Sequence, residues 1–367
     1  MTDKLLTPVK IGELQLRNRI VMAPMTRARA SLAHLPGELM AQYYAQRADA
    51  GLIITECSMV TGDASAFITD PGIYNDEQVA QWRKVTDAVH AAGGLIAMQI
   101  WHPGRATHPY INDGAEPVSS TDRAIRGDEI NTLMGKVPQA KPRRLRGDEL
   151  AGIVGAFRVA AVNAKRAGFD AVQIHGAHGY LLDQFLRDGA NDRSDAYGGS
   201  IANRARLLFE VLDAVIEVYG AGRVGLRISP LVEYNDMADS DPAALVRHVA
   251  EEFQKRRAAF FELRHNQHDL PAELELAHIA RNILTVPLLL NGGYTRESGE
   301  ADVASGLADA IVYGKPFISN PDLVQRFGAR APLNPVDFNT LYVGGTSGYT
   351  DYPAYAQTKA EPAHESQ

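Results

Sequence analysis

The chain has 367 residues, 45% hydrophobic and 22% charged, with a formal net charge of −7 from 37 Lys and Arg against 44 Asp and Glu. This is an ordinary composition for a globular protein with a sizeable core, and it offers no basic excess to meet a nucleic-acid backbone. A single cysteine, Cys57, excludes an intramolecular disulfide framework and a cysteine-rich zinc site and points to a reducing compartment, the cytoplasm by default.

The first residues, MTDKLLTPVKIG, lack the apolar core of a signal peptide, and no apolar stretch approaches membrane-spanning length, so no membrane is expected. Eight short β-rich runs then follow: RIVMAP (19–24), GLIITE (51–56), LIAMQI (95–100), DAVQI (170–174), RVGLRI (223–228), AFFEL (259–263), VPLLLN (286–291) and DAIVYG (309–314). Most are continuous apolar runs, which predicts strands buried on both faces of a parallel sheet. Helical periodicity fills the gaps. It is clearest over 148–168, where Leu150, Ile153, Val154 and Phe157 recur at three- and four-residue steps, with Asp148 as the expected N-cap and Gly168 at the C-terminal end. Similar patterns cover 203–219, 242–257 and 296–306.

Eight β-α units predict an α/β fold, one (β/α)8 TIM barrel spanning residues 1–367 as a single domain. Two stretches break the alternation. Residues 102–147, rich in Pro, Gly and charge, form an excursion after the third strand that is too long for an ordinary loop, and such connections are commonly lids. A C-terminal extension, 331–367, carries LYVGGTSGYTDYP before a polar end expected to fray after about residue 356.

In such a barrel the chemistry sits at the carboxyl ends of the strands. Those ends carry Pro24-Met25-Thr26-Arg27, Glu56-Cys57, Gln99 with Trp101 and His102, then His175, His178 and Tyr180, then Arg227, Asn291-Gly292-Gly293 and Gly314-Lys315; the sixth, near Glu262-Leu263-Arg264, is the least legible. Glycine-containing ends of strands seven and eight are the usual phosphate cradle of the fold. No GxGxxG or Walker loop is present, so a mononucleotide fits better than a dinucleotide domain. An HxxH pair can also be half of a metal site, but no further ligand set accompanies it and no metal is expected. On these residues alone, a lyase or isomerase of phosphorylated metabolites remains an alternative to a redox enzyme.

The blocks MAPMTR, QIWHPGR, HGAHGYLLDQFL with DRSDAYGGSIANRARL, VGLRISP, NGGYT, YGKPFISNPDL and GYTDYP resemble, in order, those of the Old Yellow Enzyme family, over about residues 5 to 356. The resemblance implies an FMN-containing (β/α)8 ene-reductase. Such an enzyme reduces the C=C bond of α,β-unsaturated carbonyls and nitroalkenes, and in some cases attacks nitrate esters, using NADPH or NADH. The hydride passes through FMN in a ping-pong cycle, and the protein works as a monomer or homodimer. It further implies that Pro24, Met25 and Thr26 lie along the flavin, that Gln99 reads its pyrimidine edge, and that Arg227 sets a positive charge beside it. Gly293, Gly314 and Lys315 would hold its phosphate, with Cys57 close to the ring. His175 and His178 would clamp a substrate oxygen, Tyr180 would give a proton, and Phe67, Trp101 and Tyr342 would shape the substrate pocket. Lys315 stands where members usually carry Arg, Cys57 where they prefer a small residue, and FFELRHNQ departs from the family's sixth strand; weaker FMN retention is the expected result of the first.

This chemistry suits these residues. As a hydride reaches one alkene carbon and a proton the other, negative charge builds on the carbonyl oxygen, where two N–H donors are worth most. A phenol stays protonated at neutral pH and can give its proton to a nascent enolate.

Overall fold

The computed structural model describes residues 3–355; the predicted fraying after about 356 lies outside the described residues. The eight predicted runs form strands β1 (Ile20–Met22), β2 (Leu52–Met59), β3 (Ile96–Trp101), β4 (Ala171–Gly176), β5 (Val224–Ile228), β6 (Phe260–Arg264), β7 (Leu288–Asn291) and β8 (Ala310–Tyr313). All pair parallel in chain order, and Ile311 beside Ile20 closes the ring between β8 and β1. Closure leaves no sheet edge, so every ladder group is satisfied within the barrel. Helices α1 (Glu38–Ala45), α2 (Asp76–Ala91), α3 (Leu150–Arg166), α4 (Arg206–Tyr219), α5 (Pro242–Arg256), α6 (Pro271–Ile283), α7 (Arg296–Ser305) and α8 (Leu323–Ala329) link or follow the strands. None of the described helices is long and apolar enough to cross a membrane.

Alternate side chains of each strand face opposite ways, and this divides the core in two. Val172, Ile174, Leu226, Ile228, Phe261, Leu263, Leu288 and Leu290 belong to the larger cluster that also takes in Phe157, Leu208 and Phe253 of the helices. Ala97, Ala171, Phe260, Leu289 and Ala310 pack inside the barrel instead, against Ile11, Leu14 and Leu16 of an N-terminal hairpin. That hairpin covers the inner residues at the amino end of the barrel.

Two local expectations are corrected. Asp148 is not the N-cap of α3: residues 147–149 form a 3-10 turn in which Glu149 accepts from the Arg146 N–H at 2.7 Å, while Asp148 pairs with the Arg146 side chain. The chain needed an acceptor aimed back at the turn's first donor, and Glu149 reaches it from three residues on. The 203–219 pattern is split into Ile201–Arg204, capped by Ser200, and α4. Gly168 does end α3, at φ +90°.

The excursion 102–147 carries a hairpin of Glu129–Thr132 with Gly135–Pro138 beside the barrel mouth. The tail after α8 returns across the same mouth and is held by arginines. Arg27 donates to Leu341 O and Gly348 O, and Arg29 to Thr340 O and Leu341 O. Buried Arg47 donates to Tyr43 O, Phe317 O and Ile318 O and lies 3.7 Å from the centre of the Tyr43 ring, which stacks on Tyr349 at 4.0 Å. Removing Arg47 would strand three buried carbonyls at about 1–3 kcal/mol each before relaxation. Arg47→Ala is therefore expected to lower stability by about 3 kcal/mol or more, measured as the urea midpoint multiplied by an unchanged slope; a loss under about 1 kcal/mol would show that the latch is not needed.

Candidate active site

The carboxyl end of the barrel opens into a cavity of 660 Å³. One flank is the segment after β1, Pro24, Met25 and Thr26; the opposite flank is Arg227, Arg264 and Asn291; Gly292, Gly293, Gly314 and Lys315 form the far corner. Thr26 is set from behind. Its hydroxyl lies 3.5 Å from the Cys57 sulfur, and the next two backbone N–H groups, of Arg27 and Ala28, donate to Glu56 Oε2 at 3.1 and 3.3 Å. Burial pushes the Cys57 thiol far up, so it is present here as a small uncharged group.

At the near end, β4 runs into His175, and the chain then turns sharply. His178 sits in the left-handed region at φ 56°, and Gly179 at φ 72° leaves no room for a side chain, since a Cβ would come within 2.7 Å of Tyr234 O. Such a conformation in a non-glycine residue persists only where its surroundings fix it. Here they do: the His178 N–H donates to Ser229 Oγ, Asn235 Nδ2 donates to His178 O, and the Gly179 N–H donates to Asp183, each at 2.8 Å. The turn brings His175 to 5.4 Å from His178 and 5.2 Å from Tyr180, ring centre to ring centre. Trp101 stands edge-on to Tyr180 at 4.4 Å, and Phe67 stacks between Trp101 and Tyr342 at 6.2 and 6.4 Å.

Burial dominates the electrostatics. It drives both His175 and His178 well below the ordinary imidazole value, with the Arg227 charge pushing the same way, so both rings are neutral at physiological pH. It raises the Tyr180 phenol well above its ordinary value. A neutral imidazole carries one N–H and a protonated phenol one O–H. The buried Nδ1 of His175 and Nε1 of Trp101 find no hydrogen-bond partner within the protein. Buried polar atoms are ordinarily paired, so two unpaired ones beside Tyr180 call for a partner outside the protein's own packing.

A second cavity, of 360 Å³, lies on the other side of Tyr342 and is walled by Phe67, Tyr180, Tyr234 and the excursion hairpin from Asp128 to Asn131. The predicted residues are thus distributed as follows. Pro24, Met25, Thr26, His178, Arg227, Gly293, Gly314, Lys315 and Tyr342 line the first cavity, and Phe67, Tyr180 and Tyr342 the second. Cys57, Gln99, Trp101 and His175 line neither: the first meets Thr26, the last two meet Tyr180, and Gln99 reaches Arg227 only through other side chains. Lys315 is exposed, its Nζ 5.7 Å from the centre of the Phe338 ring. Reading the strand ends named Arg264 but gave it no role; it lines the first cavity with a buried Nη1 that has no partner and with a pKa lowered by burial to about 10. The same reading missed Gln173, Glu262 and Asn291 as participants; their signal is a polar residue at every second position of apolar strands (AVQIH, FFELR, LLLN). No group of three or more His, Cys, Asp or Glu among the described residues is placed to hold a metal.

What fits the first cavity is restricted. Its far corner offers the cation Lys315, with Arg264 also in the lining, and Gly314 there is not required by the protein's own packing, since a Cβ would meet only Met25 Sδ at 3.6 Å and Ala23 Cβ at 3.8 Å. The free volume beside it suits an anion held by backbone N–H groups and cations, and the apolar-to-polar flank from Pro24 to Arg227 suits a flat ring. These residues fit flavin mononucleotide, which places the chain in the class of barrel flavin oxidoreductases.

Comparison with known proteins agrees. Residues 4–334 match the NADH:flavin oxidoreductase / NADH oxidase family. The chain is 45% identical to 12-oxophytodienoate reductase 7 of Oryza sativa subsp. japonica over 97% of its length and 96% of that protein's. It is 44% identical to a Leishmania infantum protein named "Probable flavin mononucleotide-dependent alkene reductase", over 96% and 97%. The structure of morphinone reductase in complex with tetrahydroNAD superposes with a TM-score of 0.92 at 41% identity, covering 99% of both chains. The chain belongs to the NADH:flavin oxidoreductase family, that of Old Yellow Enzyme, and is an FMN-dependent ene-reductase with a nicotinamide as reductant.

Glu56 gives this site a pH dependence that can be measured. Burial raises its carboxyl from an ordinary 4.5 to about 7, against the lowering effect of the Arg27 and Ala28 N–H groups. The native state therefore holds this proton more tightly than the unfolded chain does. The associated stability is complete below about 4.5 and is lost as pH rises to about 7, a difference of roughly 3 kcal/mol. Glu56→Gln should flatten that decline relative to wild type in urea titrations from pH 4.5 to 7.5; parallel curves for the two proteins would disprove it.

Proposed function

We propose that the protein reduces the C=C bond of activated alkenes, namely α,β-unsaturated carbonyls and nitroalkenes, with nitrate esters as further acceptors, acting as a single-domain cytoplasmic enzyme in a ping-pong cycle. The observation that carries this reading is the convergence of two neutral imidazoles and a protonated phenol beside the cavity that fits the flavin. FMN, when bound, would supply the hydride, with NADPH or NADH as its reductant, and the chain would bind, orient and protonate.

His175 and His178 each direct an N–H at the carbonyl or nitro oxygen of the substrate, where charge gathers. A donor in such a position is worth about 2.7–4 kcal/mol of barrier. Because the rings are neutral, the clamp polarises the oxygen without protonating it. Tyr180 keeps its proton until the α carbon needs it, and Trp101 edge-on behind it fixes the phenol's direction. Phe67, Trp101 and Tyr342 form the apolar walls that orient the alkene. Thr26 and Gln99 hydrogen-bond the flavin, Pro24, Met25 and Cys57 pack against it, and Arg227 favours its anionic reduced form. Gly293, Gly314 and Lys315 hold the phosphate, with Arg264 as a second cation supported by its unpaired Nη1.

Three measurements test these assignments. Purified protein should be yellow and should turn over cyclohexenone with NADH or NADPH. In stopped-flow work Tyr180→Phe should leave flavin reduction by nicotinamide nearly intact and slow enone reduction by about 10²-fold or more; equal impairment of both halves would remove the proton-donor role. At the phosphate corner, Lys315→Ala and Arg264→Ala should each raise the FMN dissociation constant by about tenfold, the worth of one charge-assisted contact. An Arg264→Ala protein that retains FMN as wild type does would take Arg264 out of the cradle.

A further inference from the structure

Five buried polar side chains run in an unbroken line across the inside of the barrel. Gln99 on β3 donates from Nε2 to Gln173 Oε1 on β4 at 2.7 Å, and Gln173 Nε2 donates to Glu262 Oε2 on β6 at 2.6 Å. The other carboxylate oxygen, Glu262 Oε1, lies 2.8 Å from Arg227 Nε on β5 as an ion pair whose N–H is not aligned with the oxygen. Arg227 Nη2 then donates to Asn291 Oδ1 on β7 at 2.9 Å, and Asn291 Nδ2 to Val312 O on β8 at 2.6 Å. Gln173 and Glu262 have no exposed surface, and Gln99 and Arg227 almost none.

The direction of this line follows from one residue. An amide can be turned end for end, whereas a carboxylate paired with a guanidinium can only accept. Glu262 therefore obliges Gln173 to point its nitrogen inward. That leaves the Gln173 oxygen for Gln99, which must use its own nitrogen there and keep its carbonyl oxygen as the group it can offer. Toward the other side, the same carboxylate places one full negative charge against Arg227, the cation on the flank of the first cavity.

We propose that Glu262 is a positioning residue for the flavin: through Gln173 it holds Gln99 with its carbonyl outward, an acceptor for a pyrimidine N–H, and through the ion pair it offsets the charge of Arg227. This rests on the reading of Gln99 and Arg227 as flavin contacts. A positive charge beside the ring favours the anionic reduced flavin and a negative one opposes it, so Glu262 keeps the reduction potential lower than Arg227 alone would set it. Glu262 lies in FFELRHNQ, where the chain departs from the family's sixth strand.

The test uses the holoenzyme. Glu262→Gln keeps the shape and an acceptor for Arg227 while removing the charge. Equilibrated with a redox dye, the variant should show a reduced-to-oxidised flavin ratio about tenfold above wild type at the same poise, a rise of about 30 mV for a two-electron couple. Arg227→Met should move the ratio the opposite way. Gln173→Met, which breaks the amide line and keeps the ion pair, should weaken FMN binding about tenfold with the potential unmoved. An unchanged ratio in Glu262→Gln beside a lowered one in Arg227→Met overturns the charge role, and FMN binding as tight as wild type in Gln173→Met overturns the orienting role. If Arg227→Met leaves the ratio unchanged, the placement of Arg227 beside the flavin fails instead.

Discussion

A closed parallel barrel satisfies its backbone entirely within its own ladder, so each polar side chain that points inward must find another such side chain or a ligand. The lower interior of this barrel avoids the question with Ala97, Ala171, Phe260, Leu289 and Ala310 packed on the N-terminal hairpin. One step toward the carboxyl end the inward positions become Gln99, Gln173, Arg227, Glu262 and Asn291, and these pair with one another across the barrel from β3 to β7, Arg227 and Glu262 through an ion pair alone, ending on a β8 carbonyl. One step further, His175 Nδ1, Trp101 Nε1 and Arg264 Nη1 have no partner in the protein. Leaving such groups buried and unpaired costs about 1–3 kcal/mol apiece. The barrel thus grades from an apolar floor through a layer of mutually paired polar groups to a rim whose polar atoms find no partner in the protein.

This gradient explains what could be read from the chain and what could not. The strands were legible because burial on both faces demands apolar runs, and residues from Ile20 to Tyr313 meet that demand in eight places. The turn of His175, His178 and Tyr180 was legible because three polar rings within six residues of a buried strand have few structural uses. Gln173 and Glu262 were hidden although they sit in plain view in those same strands. Their partners lie 74 and 89 residues away in the chain, Gln99 on the adjacent strand β3 and Glu262 beyond β5 on β6, and only the closed parallel barrel brings them together. Arg264 was hidden for another reason: a cation at a strand end looks like a solvated charge until a cavity is found beside it. The Asp148 cap failed on a local competition between two carboxylates, which spacing alone could not decide.

The tail shows how a distant segment enters the site without catalysing anything. Tyr342 separates the two cavities and is largely exposed, so its own packing cannot hold it there. Its position is inherited from Arg27, Arg29 and Arg47, which bind tail and neighbouring carbonyls, and from Tyr349 stacked on Tyr43. Arg27 is also the residue whose backbone N–H Glu56 accepts, next to Thr26. The flank of the first cavity and the partition between the two cavities therefore share one support.

Arg227 is asked to meet two requirements that conflict. Its charge lowers the proton affinity of His175 and His178, which keeps them neutral and able to donate without becoming acids themselves. The same charge, left alone in a low-dielectric interior, would carry a desolvation cost of several kcal/mol and, on the proposed placement of the flavin, would favour its reduced form. A carboxylate at 2.8 Å meets the first difficulty by pairing and the second by reducing the field that reaches the cavity. It cannot remove the effect on the histidines entirely, because burial is the larger cause of their neutrality and Arg227 only the second. A pair is therefore a better solution than a smaller cation: the histidines stay neutral by desolvation, and the charge presented to the first cavity is set separately by what stands behind Arg227.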